Sequence, residues 1–330
     1  MSKKGLFIIS LDFELLWGVR DKKTIESYGE NIRGVRQVIP ALLELFDRYG
    51  IHATFATVGF LFARNKEELL SFLPPVLPQY PVKRYSPYEN GYLNGIGASE
   101  KEDLYHYGAS LIEMIRQHPG QEIASHTFSH YYCLEDASLD SFEADMKAAK
   151  AIAASYNIDL KSVVFPRNQY STEHIAVIKK LGFTSYRGNE QSYLYQPRKN
   201  EEQNKKIKAL RLVDSYLNFT GHHTFSMANQ QGSDIVNIPA SRFLRPYSPA
   251  LKLFNGLRLH RIRQSLTHAA QQGEAYHLWW HPHNFGKNLK ENLASLEVVL
   301  QHFKMLQERY GMQSRSMKEI AEELQLAYAG

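Results

Sequence analysis

A parallel α/β barrel is the fold that this sequence of 330 residues predicts, and three observations carry it. Strand-like and helix-like stretches alternate about seven times. Asp12, His126, Arg167 and His281 each fall just past an apolar strand-like run, the position where such barrels carry their chemistry. No Gly/Ser-rich or Pro-rich linker divides the chain, so residues 1–330 read as a single domain.

Taken in order, Gly5 to Leu11 has the β-branched and aromatic content of a buried strand, with Asp12 and Glu14 where it would end. From Gly34 to Tyr49 the residues Val35, Val38, Ile39, Leu42, Leu43, Leu45 and Phe46 recur at helical spacing. Gly50 supplies a left-handed cap, and Pro40 marks the helix start or a bend. Residues 53–59 form a second strand. Between 73 and 96, prolines interleave with Tyr80, Tyr85, Tyr88 and Tyr92, a long ordered loop whose rings either stack on sugars or pack beneath a surface connection.

A helix over about 100–117 leads to a strand at 122–125. A helix over 138–155 then places Leu139, Phe142, Met146, Ala149 and Ile152 on one face. A strand at 162–165 is stopped by Pro166, a Thr172-capped helix runs to Leu181, and a fifth strand spans 183–186. The variable region 189–231 has no periodicity; within it, Lys205, Lys206 and Lys208 beside Glu201 and Glu202 read as a solvated loop. Strands at 235–240 and 275–280 flank a helix over 257–270, and helices over 289–310 and 317–324 follow.

Hydrophobic residues make up 43% of the chain and charged residues 22%, which fits an extensive core in a soluble protein. The apolar run at the N-terminus meets Asp12 too early for a secretory signal, and no stretch approaches a membrane span. A cytoplasmic protein not integral to a membrane is therefore expected. Cys133 is the only cysteine, so no intrachain disulfide can form. The net charge of +5 is dispersed, which argues against a nucleic-acid partner and leaves open a nucleotide sugar or an anionic lipid carrier.

The chemistry is organised around His126-Thr127-Phe128-Ser129-His130. Two imidazoles four residues apart can turn toward one point, and neutral imidazole is the commonest side-chain ligand for zinc and similar ions. In the His-Glu-x-x-His metalloprotease helix the residue after the first histidine is the base, but Thr127 stands there. Base and anionic ligand must come from elsewhere, and Asp12 and Glu14 offer both. His277, Trp279 and His281 share one strand parity; His281, next to Pro282, lies at the open mouth, while His277 reads as a satisfied core group.

Leu11-Asp12-Phe13-Glu14, His126-Thr-Phe-Ser-His130, Phe165-Pro166-Arg167 and Leu278-Trp-Trp-His281-Pro282 together resemble, in order, the motifs of the polysaccharide deacetylase family. The resemblance implies a distorted (β/α)7 barrel and metal-dependent removal of N-acetyl groups from sugars. It implies that His126, His130 and Glu14 bind a divalent ion, zinc first, and that Asp12 is the base. Asp12 and Glu14 share a parity and could exchange roles. It further implies that Arg167 orients and ionises Asp12, from a Pro-Arg order inverted relative to the family's, and that His281 protonates the departing amine. Trp17, Asn168 and Trp280 are the candidate substrate-binding residues. The expected substrate is an N-acetylated sugar, a nucleotide sugar or a lipid-linked glycan precursor, used in surface-polysaccharide synthesis. A cyclic-amide hydrolase of the allantoinase kind, and a noncatalytic carbohydrate-binding protein on the same scaffold, are the other two readings.

Overall fold

The computed structural model describes residues 4–190, 192–195, 205–230 and 232–329. Strand β1 (Leu6–Phe13) lies between β2 (Ala53–Thr57) and β8 (Ala275–Trp280), and every residue of β2 is buried. The other strands are β3 (Glu122–Ser125), β4 (Ser162–Val163), β5 (Ser185–Tyr186), β6 (Val236–Asn237), β7 (Arg242–Phe243) and β9 (Gln313–Ser314). Their spatial order is β6-β5-β4-β3-β2-β1-β8-β7, with β9 paired to β1. All the named pairs run parallel.

The two ends of that order belong to one extended segment. Val236 pairs with Ser185, and the Ala240 amide still bonds Gly188 on that side. From Ser241 the segment turns to β8, donating to His277 and setting Arg242 opposite Leu278. A single strand that changes partner near Pro239 thus closes the ring, which is the expected distorted (β/α)7 barrel with this strand as its seventh wall element. The sequence pattern over 235–240 finds this segment but not its exchange of partners.

Helices cover the outside, and apolar side chains from both layers merge into one large buried cluster. The first helix, α1 (Ile25–Tyr49), begins well before its apolar pattern, because Thr24 and Ser27 form a reciprocal capping box. Pro40 lies inside it on the exposed face, where the carbonyl left without its backbone donor is open to solvent. Then come α2 (Lys66–Ser71), α3 (Ala109–Arg116), α4 (Leu139–Ser155) and α5 (Thr172–Lys180). α3 starts later than its sequence suggests, since the Asp103 carboxylate caps the amides of Gly97, Tyr105 and His106 in a turn.

In the least patterned regions one expectation fails and one of two alternatives is selected. Lys206 and Lys208 lie on α6 (Lys205–Asp214), a helix where a solvated loop is expected; Glu201 and Glu202 lie outside the described residues. In the proline-rich stretch, Tyr80 and Tyr85 pack with Tyr132 in a buried aromatic cluster, so these rings prop the neighbouring loop instead of facing solvent. After α7 (Asn255–Gln272) and α8 (Leu289–Tyr310), α9 (Met317–Ala329) closes one end of the barrel. Its Met317, Ile320 and Ala321 pack with Ile8, Ala56, Val164 and Val236 from inside the ring. Among the described residues no helix is long and apolar enough to cross a membrane.

The packing of α1 against the loop after β8 leaves no room for a side chain. A Cβ at Gly34 would lie 2.3 Å from the Gly286 carbonyl oxygen, and the Asn31 amide bonds His283 oxygen at 3.2 Å. Gly34→Ala is therefore expected to lower unfolding stability by about 1–3 kcal/mol, measured by chemical denaturation. An unchanged midpoint would mean that this loop is free to move off α1.

Candidate metal and acid–base site

Parallel strands deliver their C-terminal ends to one mouth, and β1 brings Ser10 and Asp12 to the inner face in alternating register. Asp12 is 3% exposed and cannot rest there unpaired. Arg187, immediately after β5, forks onto it: Nη1 donates to Oδ1 at 2.6 Å and Nη2 to Oδ2 at 2.8 Å. The same guanidinium donates to Ser10 Oγ at 3.0 Å and to Asn168 Oδ1 at 2.8 Å, and it lies 4.3 Å from the centre of the Trp279 ring. Burial alone would raise the Asp12 pKa, but Arg187, aided by His126 and His281, holds it below the usual carboxylate range. Behind Ser10, His277 bonds Ser10 Oγ at 2.8 Å and Pro239 oxygen at 3.2 Å, and burial beside Arg187 pushes its pKa down to about 3. It is the neutral core group that its depth on the strand predicts.

The histidine loop is backbone held under strain. Thr127 has φ 63° and His130 φ 58°, conformations that side chains, β-branched ones above all, rarely adopt. What holds them is Asp145 on α4, fully buried, which accepts the amides of Phe128 at 2.7 Å and Ser129 at 3.2 Å as well as the Ser129 hydroxyl. Thr127 Oγ1 accepts the Tyr131 amide at 2.7 Å, and Gly59 lies so close that a Cβ there would sit 2.7 Å from the Phe128 Cα.

That shape aims both imidazoles at Glu14. His130 Nε2 lies 3.0 Å and His126 Nε2 3.3 Å from the same oxygen, Oε2. His126 Nδ1 donates to the Val164 carbonyl at 2.8 Å, which fixes the proton on Nδ1 and leaves Nε2 as a buried lone pair with no hydrogen-bond partner. Burial, opposed by Glu14, pushes the His130 pKa down to about 4, so this ring is neutral at pH 7. One ligand atom from each of Glu14, His126 and His130 lies within 4.8 Å of the others, and all three residues are buried. Two buried imidazoles and one carboxylate with an orphaned nitrogen at their centre fit a divalent metal ion. Asp12, engaged by Arg187, is not part of this group.

His281 stands across the mouth, its Nε2 3.6 Å from Glu14 Oε1 and 3.8 Å from Asp12 Oδ2, while its Nδ1 faces Asn284 Oδ1 at 3.2 Å. These groups open into a cleft of about 370 Å³ that Asn168, Phe243 and Trp279 also line. Asn168 is thus where a substrate-binding residue is expected. Three other expectations need correction. Arg167 does not reach Asp12: its guanidinium pairs with Asp21 and stacks 3.8 Å over the Tyr132 ring, because its own φ of 57° turns it away along the mouth. Trp17 is fully buried against Phe60, Tyr92 and His106, its Nε1 bonded to His106 oxygen at 2.8 Å, and does not line the cleft. Trp280 has the wrong parity, so it points out of the barrel and stacks on Phe285, and Trp279 faces the cleft in its place. His222 and His223 lie apart from the metal group, stacked on His268 and bonded to Thr220.

Arg187 had a signal in the sequence: like Asp12 and His281, it directly follows a strand. Asp145 and Gly18 had none, because their roles are purely spatial. A Cβ at Gly18 would fall 1.9 Å from Glu14 Cδ and 2.0 Å from Oε1. Gly18→Ala should therefore push the Glu14 carboxylate off the imidazoles and weaken metal binding by about 10–100-fold, with little change in the melting temperature of the metal-free protein; isothermal titration and calorimetry check both. Asp145→Ala, which strands buried donors, should cost at least about 2 kcal/mol of stability in denaturant titration, and an unaffected protein would show that the loop holds its shape without that carboxylate.

Comparison with known proteins agrees with the fold. The polysaccharide deacetylase family matches residues 30–186, a span that holds His126 and His130 but not Asp12, Glu14 or His281. A Mycobacterium smegmatis structure named as a polysaccharide deacetylase aligns over 98% of this chain and 91% of its own, at 14% identity and a TM-score of 0.61. A Pseudomonas aeruginosa structure named likewise aligns over 97% and 90%, at 11% identity and a TM-score of 0.55. An allantoinase gives 97% and 90%, 10% identity and a TM-score of 0.54, a likeness of fold alone. No curated protein sequence matches the chain. Residues 30–186, carried on the distorted barrel described above, match the polysaccharide deacetylase family.

Proposed function

We propose that the protein is a zinc-dependent amide hydrolase that removes the N-acetyl group from a sugar or glycan precursor. One observation carries this reading: an ionised aspartate and a histidine, Asp12 and His281, flank the buried Glu14, His126 and His130 group at the floor of one open cleft. An amide resists hydrolysis because its carbon is a poor electrophile and its nitrogen a poor leaving group, so it needs a base for water and an acid for nitrogen.

Glu14, His126 and His130 would hold the ion, which when bound polarises the acetyl carbonyl and lowers the pKa of water. Asp12 takes the proton of the attacking water. Arg187 keeps it ionised and fixes its plane through the two-pronged contact. His281, oriented by Asn284 at Nδ1, presents Nε2 to the mouth and delivers a proton to the departing nitrogen. The faces of Phe243 and Trp279 beside it supply an apolar wall for a sugar ring.

The purified protein should contain about one ion per chain, and acetate release from N-acetylated sugars should vanish on chelation and return with zinc. Asp12→Asn and His281→Ala should each lower turnover by about 100–10,000-fold while circular dichroism stays unchanged. Opening of a cyclic ureide with no acetate from any sugar would instead select the allantoinase-like reading. Because Arg187 holds the Asp12 pKa down, Arg187→Gln lets it rise. The acid limb of the pH–rate profile should then move to higher pH, and an acid limb that stays put would remove Asp12 as the base.

A further inference from the structure

The exposed apolar side chains of this molecule are unevenly spread. Of the fifteen large hydrophobic residues left exposed among those described, eight lie within residues 210–257. They come from α6 and the residues just after it, and from the turn Pro249–Phe254 that leads into α7. Single exposed leucines are ordinary, but such a concentration marks an interaction surface.

On α6 the inner face is set by Asp214, which is fully buried, and by Arg211, whose Nε donates to Leu194 oxygen at 2.6 Å. With about 3.6 residues per turn, Leu212 and Val213 lie on the opposite face, where they are 38% and 42% exposed. Lys206 and Lys208 stand on the two flanks of that face, both exposed. Beyond the helix Phe219 is 69% exposed, and a Tyr216–Phe254 ring contact joins this segment to the turn, which adds Lys252, Leu253 and Phe254.

Charge is concentrated in the same stretch. Residues 205–273 hold ten lysines and arginines against two aspartates, a net charge of +8 in a chain whose total is +5. Of the two acids, Asp214 is buried against Arg242 and Arg261. The buried arginines are bound inside the fold, Arg258 by Asn255 and Arg261 by Ser265 and the Gly221 carbonyl. The charges beside the exposed apolar side chains are therefore those of Lys206, Lys208 and Lys252.

We propose that this lip docks the protein on an anionic lipid bilayer. Leucine and phenylalanine set among lysines suit the headgroup layer, where the apolar groups enter the acyl boundary and the lysines reach lipid phosphates. The core of a protein–protein interface is instead poor in lysine. The lip also borders the cleft, whose wall includes Arg211 and Ser215 from the α6 segment and Arg245 ahead of the turn. A docked lip would put a substrate carried in the bilayer within reach of that cleft. This consequence rests on the deacetylase reading, whereas the docking itself does not.

The test is vesicle binding by the full chain, with a chelator present so that no metal bridges protein and lipid. Vesicles of phosphatidylcholine are compared by co-sedimentation with vesicles of equal parts phosphatidylcholine and phosphatidylglycerol. Expected is partition about tenfold or more in favour of the anionic vesicles, lost as sodium chloride is raised. Leu253→Ser/Phe254→Ser should weaken it by about tenfold or more, and Lys206→Gln/Lys208→Gln/Lys252→Gln by about a hundredfold. All five side chains are exposed, so melting curves should match wild type. Phe254→Trp should emit further to the blue when anionic vesicles are added, and Leu70→Trp on α2 should not. Equal partition into the two kinds of vesicle, wild-type binding by either multiple variant, or an equal blue shift at Leu70→Trp would overturn the docking. So would a concentration-dependent dimer that Leu253→Ser/Phe254→Ser abolishes, seen without vesicle binding, because the lip would then belong to a second copy. Vesicle binding through the lip, with no acetate from any N-acetylated sugar, would keep the docking and sink the deacetylase reading.

Discussion

The bidentate contact between Arg187 and Asp12 is the interaction on which the centre of this molecule depends. Two opposite charges lie inside a barrel of parallel strands, each almost wholly removed from water, and neither could remain there alone. Their geometry also joins walls that are far apart in sequence. One guanidinium touches Ser10 and Asp12 on β1, Asn168 past β4 and the Trp279 ring on β8, while its own backbone extends β5. Asp12 is therefore ionised, oriented and hemmed in at once. The arrangement that stabilises the barrel mouth is the same one that would keep a base ready for a proton.

A second constraint acts on the histidine loop. Positive φ at Thr127 and His130 is unfavourable by itself, and it persists because Asp145, Thr127 Oγ1 and the bare backbone of Gly59 fix every neighbouring group. The result is a turn in which His126 and His130 approach one carboxylate oxygen, with the His126 tautomer set by the Val164 carbonyl. Arg167 and Asn168, also at positive φ, form the adjoining strained turn. Three of these four residues, His130, Arg167 and Asn168, line the cleft. The tyrosine-rich stretch belongs to the same support: its buried rings pack on Tyr132, two residues past His130.

Much of the scaffold was legible because it depends on local periodicity. The strands at 6–13, 53–57, 122–125 and 275–280, and the helices with clear apolar faces, follow from residue spacing, since burial of one face is encoded every second or every third to fourth residue. The strand-end rule also located Asp12, His126 and His281. It failed at Arg167, whose positive φ turns its side chain off the strand direction, and at Trp280, where parity alone would have pointed to Trp279. The helix over Lys205–Asp214 escaped notice because its lysines suggested a solvated loop, and its Leu210, Leu212 and Val213 remain exposed.

The sequence by itself determined the kind of residue available at each strand end, the lack of an internal disulfide and the alternation of strand and helix, because these depend only on composition and short-range spacing. Tertiary structure decided which charges meet. Arg187 lies 175 positions from Asp12 along the chain, Glu14 lies 116 from His130, and the wall that closes the ring is one strand exchanging partners. Such pairings are chosen by the need to neutralise each buried charge with the nearest complementary group in space, and spacing along the chain carries no record of that distance.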